Sequence, residues 1–200
     1  MKLRYLVVAA CLAPTLILTL KPAVAHAQAG IYIAPIAIRG SNSTADTGTF
    51  AFLGSGQTSQ MFYGVNVGGY YNLYHEGKTE AGIDVRDTIV HGNNASLNSF
   101  LVGARISTSP FARPLKPYVQ VSVGAGTSKP PTSAVHVTKV QYGAFVGADY
   151  TLNRHLDFRV IEVGYNSLQT VSSSTIGSTS ATIPSTSLLS FSSGIVLRFP

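Results

Sequence analysis

Charge is what this 200-residue sequence has least of: Asp, Glu, Lys and Arg together make up 11% of it, about half the share of an ordinary soluble domain. Cations this sparse and scattered form no basic stripe, and no nucleic-acid partner is expected. Tryptophan is absent, and the one cysteine, Cys11, falls in an N-terminal segment that reads as a leader. Without a second thiol the chain can make no internal disulfide, so an exported form must find its stability elsewhere. Beyond residue 29 no stretch approaches the roughly 18 consecutive apolar residues of a transmembrane helix. Amphipathic helical spacing is scarce as well. These absences leave an all-β chain that is 45% hydrophobic and carries 19 glycines.

The opening, MKLRYLVVAACLAPTLILTLKPAVAHAQA, has a short basic start, an apolar middle and small residues at alternate positions near its end. It reads as a secretory signal peptide over 1–29, cleaved after Ala27 or Ala29, with one domain over 30–200. Pro14 breaks the apolar run and Lys21-Pro22 closes it, which argues against a retained membrane helix. Without Lys2, Arg4 and Lys21, eleven cations face eight carboxylates, a net charge of +3.

What is present is alternation. In SLLSFSSGIVLRFP the residues Leu189, Phe191, Ile195, Leu197 and Phe199 share one face, interrupted only by Ser193. Period two is the mark of a strand whose faces meet different surroundings. Similar segments recur at 30–38, 61–74, 79–91, 97–108, 117–127, 138–151 and 155–168, which predicts eight antiparallel strands. The connections HEGK, SPFARPLK and LNR are short. Those over 39–60 and 169–185 are long and rich in Ser, Thr and Gly, and are expected to be external and mobile.

The two faces differ in kind. Over 79–91, Ala81, Ile83, Val85 and Ile89 oppose Glu80, Asp84, Arg86 and Thr88, with Asp87 as the exception. Over 117–127, Val119, Val121, Val123 and Ala125 oppose Gln120, Ser122, Gly124 and Gly126. A soluble barrel would turn the apolar face inward and need a charged coat outside. Gly, Ser and Gln make a poor coat but a plausible lumen, so the apolar faces are assigned to lipid. Lipid in turn requires a closed sheet, because an open edge would strand backbone groups in hydrocarbon. Tyr71, Tyr150, Phe158 and Phe199 are expected to gather near the short-turn end as an interfacial belt.

With these features, and above all in KPYVQVSVGAG (116–126), QYGAFVGADYTLNRHLDFRVIEVGY (141–165) and SSGIVLRF (192–199), the chain resembles the small eight-stranded outer-membrane β-barrels of the OmpA/OmpX-like transmembrane domain family. The resemblance implies an up-and-down transmembrane barrel in the outer membrane of a Gram-negative envelope, in contact with outer-membrane lipids. It also implies that Phe191, Ile195, Leu197 and Phe199 form a C-terminal signal read by the outer-membrane assembly machinery, with Pro200 following the aromatic on which family members usually end.

The scaffold does not fix a function. Asp87, His91 and Ser96 near one rim form the best catalytic or metal candidate, yet as polar rim residues they need no chemistry, and no catalytic residue, cofactor or metal is predicted. The predicted lumen holds the acids Glu80, Asp84, Asp149 and Asp157 with the bases Arg86, Arg105, Lys139, Arg159 and Arg198. Glu162 is out of phase, and a β-bulge at Val160-Ile161 would turn it inward. A lumen charge network of Asp84, Arg86, Arg105, Asp149, Arg159, Glu162 and Arg198 follows. Eight strands enclose just enough room for side chains to fill, so a plugged interior is expected. The sequence favours a structural or surface-interaction role with an unknown surface ligand. A narrow pore, a soluble lipocalin-like carrier and a lipid-modifying enzyme are the alternatives.

Overall fold

The computed structural model describes residues 29–46, 51–108, 114–170 and 185–199. Of the expected leader (1–29) only Ala29 is among these residues, and most of the connection over 169–185 and Pro200 lie outside them. Eight antiparallel strands form one closed barrel: β1 (Ala29–Ser41), β2 (Ser59–Glu76), β3 (Thr79–Gly92), β4 (Ala95–Thr108), β5 (Leu115–Lys129), β6 (Val137–Thr151), β7 (Leu156–Gln169) and β8 (Ser185–Phe199). Each pairs with its sequence neighbours, and β8 returns to β1.

Register shows how the wall closes. Starting at Ala29 and moving sideways through Tyr71, Ile83, Ala104, Val121, Ala144, Tyr165 and Leu189, the row re-enters β1 at Arg39, ten residues further on. A stagger of this kind tilts the strands by about 35–45° and leaves an interior that side chains can fill. All the residues of this row face outward, and together they sample the wall from one end to the other.

The outward face is the apolar one. Ile31, Ile33, Val85, Val102, Val121, Val146 and Ile195 are all exposed at its middle, a continuous apolar surface far larger than a soluble monomer shows. Tyr71, Tyr150, Phe158 and Phe199 face outward near the end that holds Ala29. Tyr63, Phe100, Tyr142 and Tyr165 do so towards the other end. Two aromatic belts around an apolar band are what a barrel shows where its wall meets the two membrane interfaces. The barrel is transmembrane.

The expected bulge is present. Pairing of β7 with β8 passes from Arg159↔Gly194 directly to Glu162↔Ser192. Val160 and Ile161 both face outward and Glu162 is buried. On the other side of β8 the ladder to β1 jumps from Ile33↔Ile195 to Ile36↔Ser192, leaving out Ala34 and Pro35. Proline has no N–H to give to a ladder.

The connection between β1 and β2 differs from the expectation of a wholly external, mobile loop. Its Ala51, Phe52 and Leu53 are buried, and Phe52 stacks on Phe62 with ring centroids 5.2 Å apart. Phe52 and Leu53 join Ile36, Ile38, Phe62, Val90, Leu97, Leu168 and Leu188 in an apolar cluster. The inward face is therefore polar only in part. Near this end it is hydrophobic, and Phe52 and Leu53 of the loop fold over it because water is the worse alternative.

Candidate functional site

Below that apolar cap, the lumen is crossed by a single chain of ion pairs. Arg86 on β3 reaches Asp84 through Nε at 3.1 Å and Glu162 on β7 through Nη1 at 2.9 Å. Arg159 on β7 joins Glu162 at 3.3 Å to Asp149 on β6 at 3.0 Å, and Arg105 on β4 closes the sequence on Asp149 at 2.8 Å. Three guanidiniums and three carboxylates thus balance, each side chain exposed by 4% or less. Burial of any one alone would cost several kcal/mol. Six together, neutral in sum, meet that cost by mutual attraction at low dielectric.

Neutral groups complete the set. Tyr32 donates to both oxygens of Asp84 at 3.0 and 3.1 Å. Gln120 donates to Asp84 at 2.7 Å while its carbonyl accepts from Arg86 at 2.7 Å. Tyr118 donates to Glu162 at 2.6 Å, and Ser192 of β8 does so at 3.4 Å. Aromatic faces cover the guanidinium planes. Arg105 lies between Tyr70 and Tyr118, 4.1 Å from each ring centre, and Arg86 lies 3.9 Å from Phe145. Every strand of the barrel contributes to this constellation.

Glycine makes the rings fit. A Cβ on Gly147 would fall 2.5 Å from the Tyr118 ring, and one on Gly68 would fall 2.4 Å from the Tyr32 hydroxyl. The glycines on the inward face thus vacate the volume that the tyrosines occupy.

Arg198 belongs to a second group nearer the end that holds both Ala29 and Phe199. Its Nε lies 2.9 Å from Asp157, Nη2 donates to the carbonyl of Asn153 at 2.8 Å, and Lys116 stands 3.9 Å from the same carboxylate. Glu80 is held apart from the chain, accepting from Asn72 at 2.7 Å. Lys139, placed by alternation among the lumen bases, is exposed: it lies two residues from the start of β6, at the rim of the wall.

The rim candidates are not brought together. His91 is the register partner of Ser96, but Asp87 stands opposite Phe100. Four residues of strand separate Asp87 from His91, about 13 Å, too far for a hydrogen bond. Phe191, Ile195, Leu197 and Phe199 all face outward along β8. Among the described residues no cluster of three or more His, Cys, Asp or Glu side chains is placed to hold a metal.

No family model matches the sequence, and no curated protein does. Solved structures do. Neisserial surface protein A superposes with a TM-score of 0.53 at 13% identity, covering 86% of this chain and 97% of that one. Ail, the attachment invasion locus protein of Yersinia pestis, superposes with a TM-score of 0.55 at 11% identity, covering 88% and 100%. The same protein in complex with the heparin analogue sucrose octasulfate gives 0.51 at 10% identity, again covering 88% and 100%. The fold is that of the small eight-stranded outer-membrane β-barrels.

Proposed function

We propose that this protein is a plugged barrel of the Gram-negative outer membrane, with a structural or surface-interaction role and no through-channel. The observation that carries the reading is the neutral chain of buried ion pairs Asp84–Arg86–Glu162–Arg159–Asp149–Arg105, which runs across the interior between β3, β4, β6 and β7. Phe52 and Leu53 cover the apolar chamber next to it. The end with the long 42–58 connection would face outwards, and the short turns would face the periplasm. Phe191, Ile195, Leu197 and Phe199 would serve as the strand signal for the outer-membrane assembly machinery, and outer-membrane lipids would be the standing partners. The names of two neighbours, a surface protein and an attachment protein, favour contact at the surface over transport. Conductance in planar bilayers tests the reading: the folded chain should add no steps above the bare-membrane baseline. Steady unitary currents from wild type would replace it with the narrow pore.

A further inference from the structure

The end that holds the β3–β4 turn carries a cavity of about 820 Å³ beside the rim of the barrel. Its lining includes His91, Ser96, Lys129 and His136, with the hairpin tip Asn93-Asn94. The register explains the grouping. His91 on β3 pairs with Ser96 on β4, and Ser96 pairs with Lys129 on β5. His136 immediately precedes β6, one step beyond the Ser128↔Val137 pair. Four polar side chains from neighbouring strands thus form one row on the lipid-side face. The two-residue turn has φ of 48° and 62° at Asn93 and Asn94, the tight hairpin geometry Asn tolerates. The turn ends β3 and β4 level with each other, and Pro131 and His136 of the following connection complete the lining.

The row's height is fixed by the aromatic belt. Tyr63 is the direct register partner of His91. Phe100 lies four residues below Ser96 on β4, about 10 Å lower at barrel tilt. Belt aromatics sit at headgroup level, so the row meets lipid headgroups and not acyl chains. Its ionisable members, His91, Lys129 and His136, are all basic residues. Asp87, four residues away from His91 along β3, stands in register between Val67 and Phe100, in the apolar band.

We propose that this cavity binds the phosphate of a membrane lipid headgroup. Lys129 supplies the fixed charge, His91 and His136 approach from either side, and Ser96 and the Asn93-Asn94 amides donate to the remaining oxygens. The inference rests on the reading of the outer end as membrane-bordering.

The full chain, folded into nanodiscs of phosphatidylcholine alone or of phosphatidylcholine with phosphatidic acid, provides the test. Histidine ring resonances of His91 and His136 should move in the phosphatidic acid discs and not in the others. Native mass spectrometry should show retained phosphatidic acid, reduced about fivefold by Lys129→Gln, the weight of one cation at an anionic surface. Arg154→Gln, in the turn at the opposite end, should leave retention unchanged. An equal response to inorganic phosphate would overturn the lipid assignment in favour of a free anion. Unmoved histidines in every disc would overturn the site while leaving the barrel intact. A chain that never inserts, and so never gains a heat-dependent gel shift, would fail the membrane reading instead.

Discussion

Arg86 and Glu162 stand 76 positions apart in the chain and meet across the lumen through two parallel contacts, Nη1 to Oε1 at 2.9 Å and Nη2 to Oε2 at 3.2 Å. A forked pair of this geometry is the strongest ordinary ion pair a protein makes. It ties β3 to β7 on the far side of the barrel.

Removing one member leaves the other buried and uncompensated. Arg86→Met should destabilise the barrel by about 3–5 kcal/mol in urea titrations from lipid vesicles. Arg86→Met combined with Glu162→Gln should recover part of that loss.

Arg159 offers a sharper check. It touches Glu162 and Asp149 but not Asp84. Double-mutant cycles should therefore give coupling of about 0.5–3 kcal/mol with the first two. Arg159 and Asp84 should couple more weakly, since they meet only through intermediaries: Arg86 with Glu162, and Tyr32, which donates to Asp84 and lies with its ring 4.2 Å from the Arg159 guanidinium. Equal coupling with all three carboxylates would mean that the network responds as one charge cloud and not as pairs.

Val121 and Ala144 are register partners on the lipid face. Arginine at either should cost about 2–4 kcal/mol and lower folded yield. Alternation alone suggests that the lumen-side Ser122 would accept arginine more readily. The structure corrects this: Ser122 is buried, accepts from Gln120 at 2.9 Å and lies against Gly103. Ser122→Ala should be tolerated, whereas Ser122→Arg should fail as badly as Val121→Arg. Folded fractions on unheated gels compare all three.

Phe52→Ala should free the 42–58 connection. Wild type should resist brief proteolysis there, the variant should be cut, and the loss should be about 3 kcal/mol or less because the site lies near solvent. Bilayer conductance should stay at baseline, because the ion-pair chain lies below the cap.

A closed barrel keeps its backbone bonds in detergent until heat breaks them together. Heated and unheated samples should migrate differently in SDS gels. Identical migration, with a soluble monomer in detergent-free buffer, would contradict a membrane barrel.

Strands were the most legible part of the sequence, because lipid on one side and a filled lumen on the other impose period two over nearly every residue of the wall. Even the bulge could be inferred, since Glu162 would otherwise face hydrocarbon while Val163 and Tyr165 turned inward. Alternation names a face but not a partner: that Arg86 meets Glu162, and Arg198 meets Asp157 in a separate group, depends on how the ten-residue stagger aligns distant strands. The cap was hidden for a similar reason. Ala51-Phe52-Leu53 is an apolar triplet in a polar stretch, a signal in retrospect, but its burial depends on an apolar inner rim assembled from β1, β2, β3, β4, β7 and β8.

At Ser193 the ladder of β8 is interrupted on both edges, and its side chain, donating to the Arg159 carbonyl at 3.0 Å, stands in for the missing backbone bond. Pro35 offers no N–H from β1, and the bulged Val160-Ile161 offers no regular ladder from β7. β8 is also the strand whose arrival completes the ring. Deuterium should therefore enter the wall first at this point and reach the β3–β4 pair last, giving the cylinder a built-in order of opening that follows the seam where its two ends were joined.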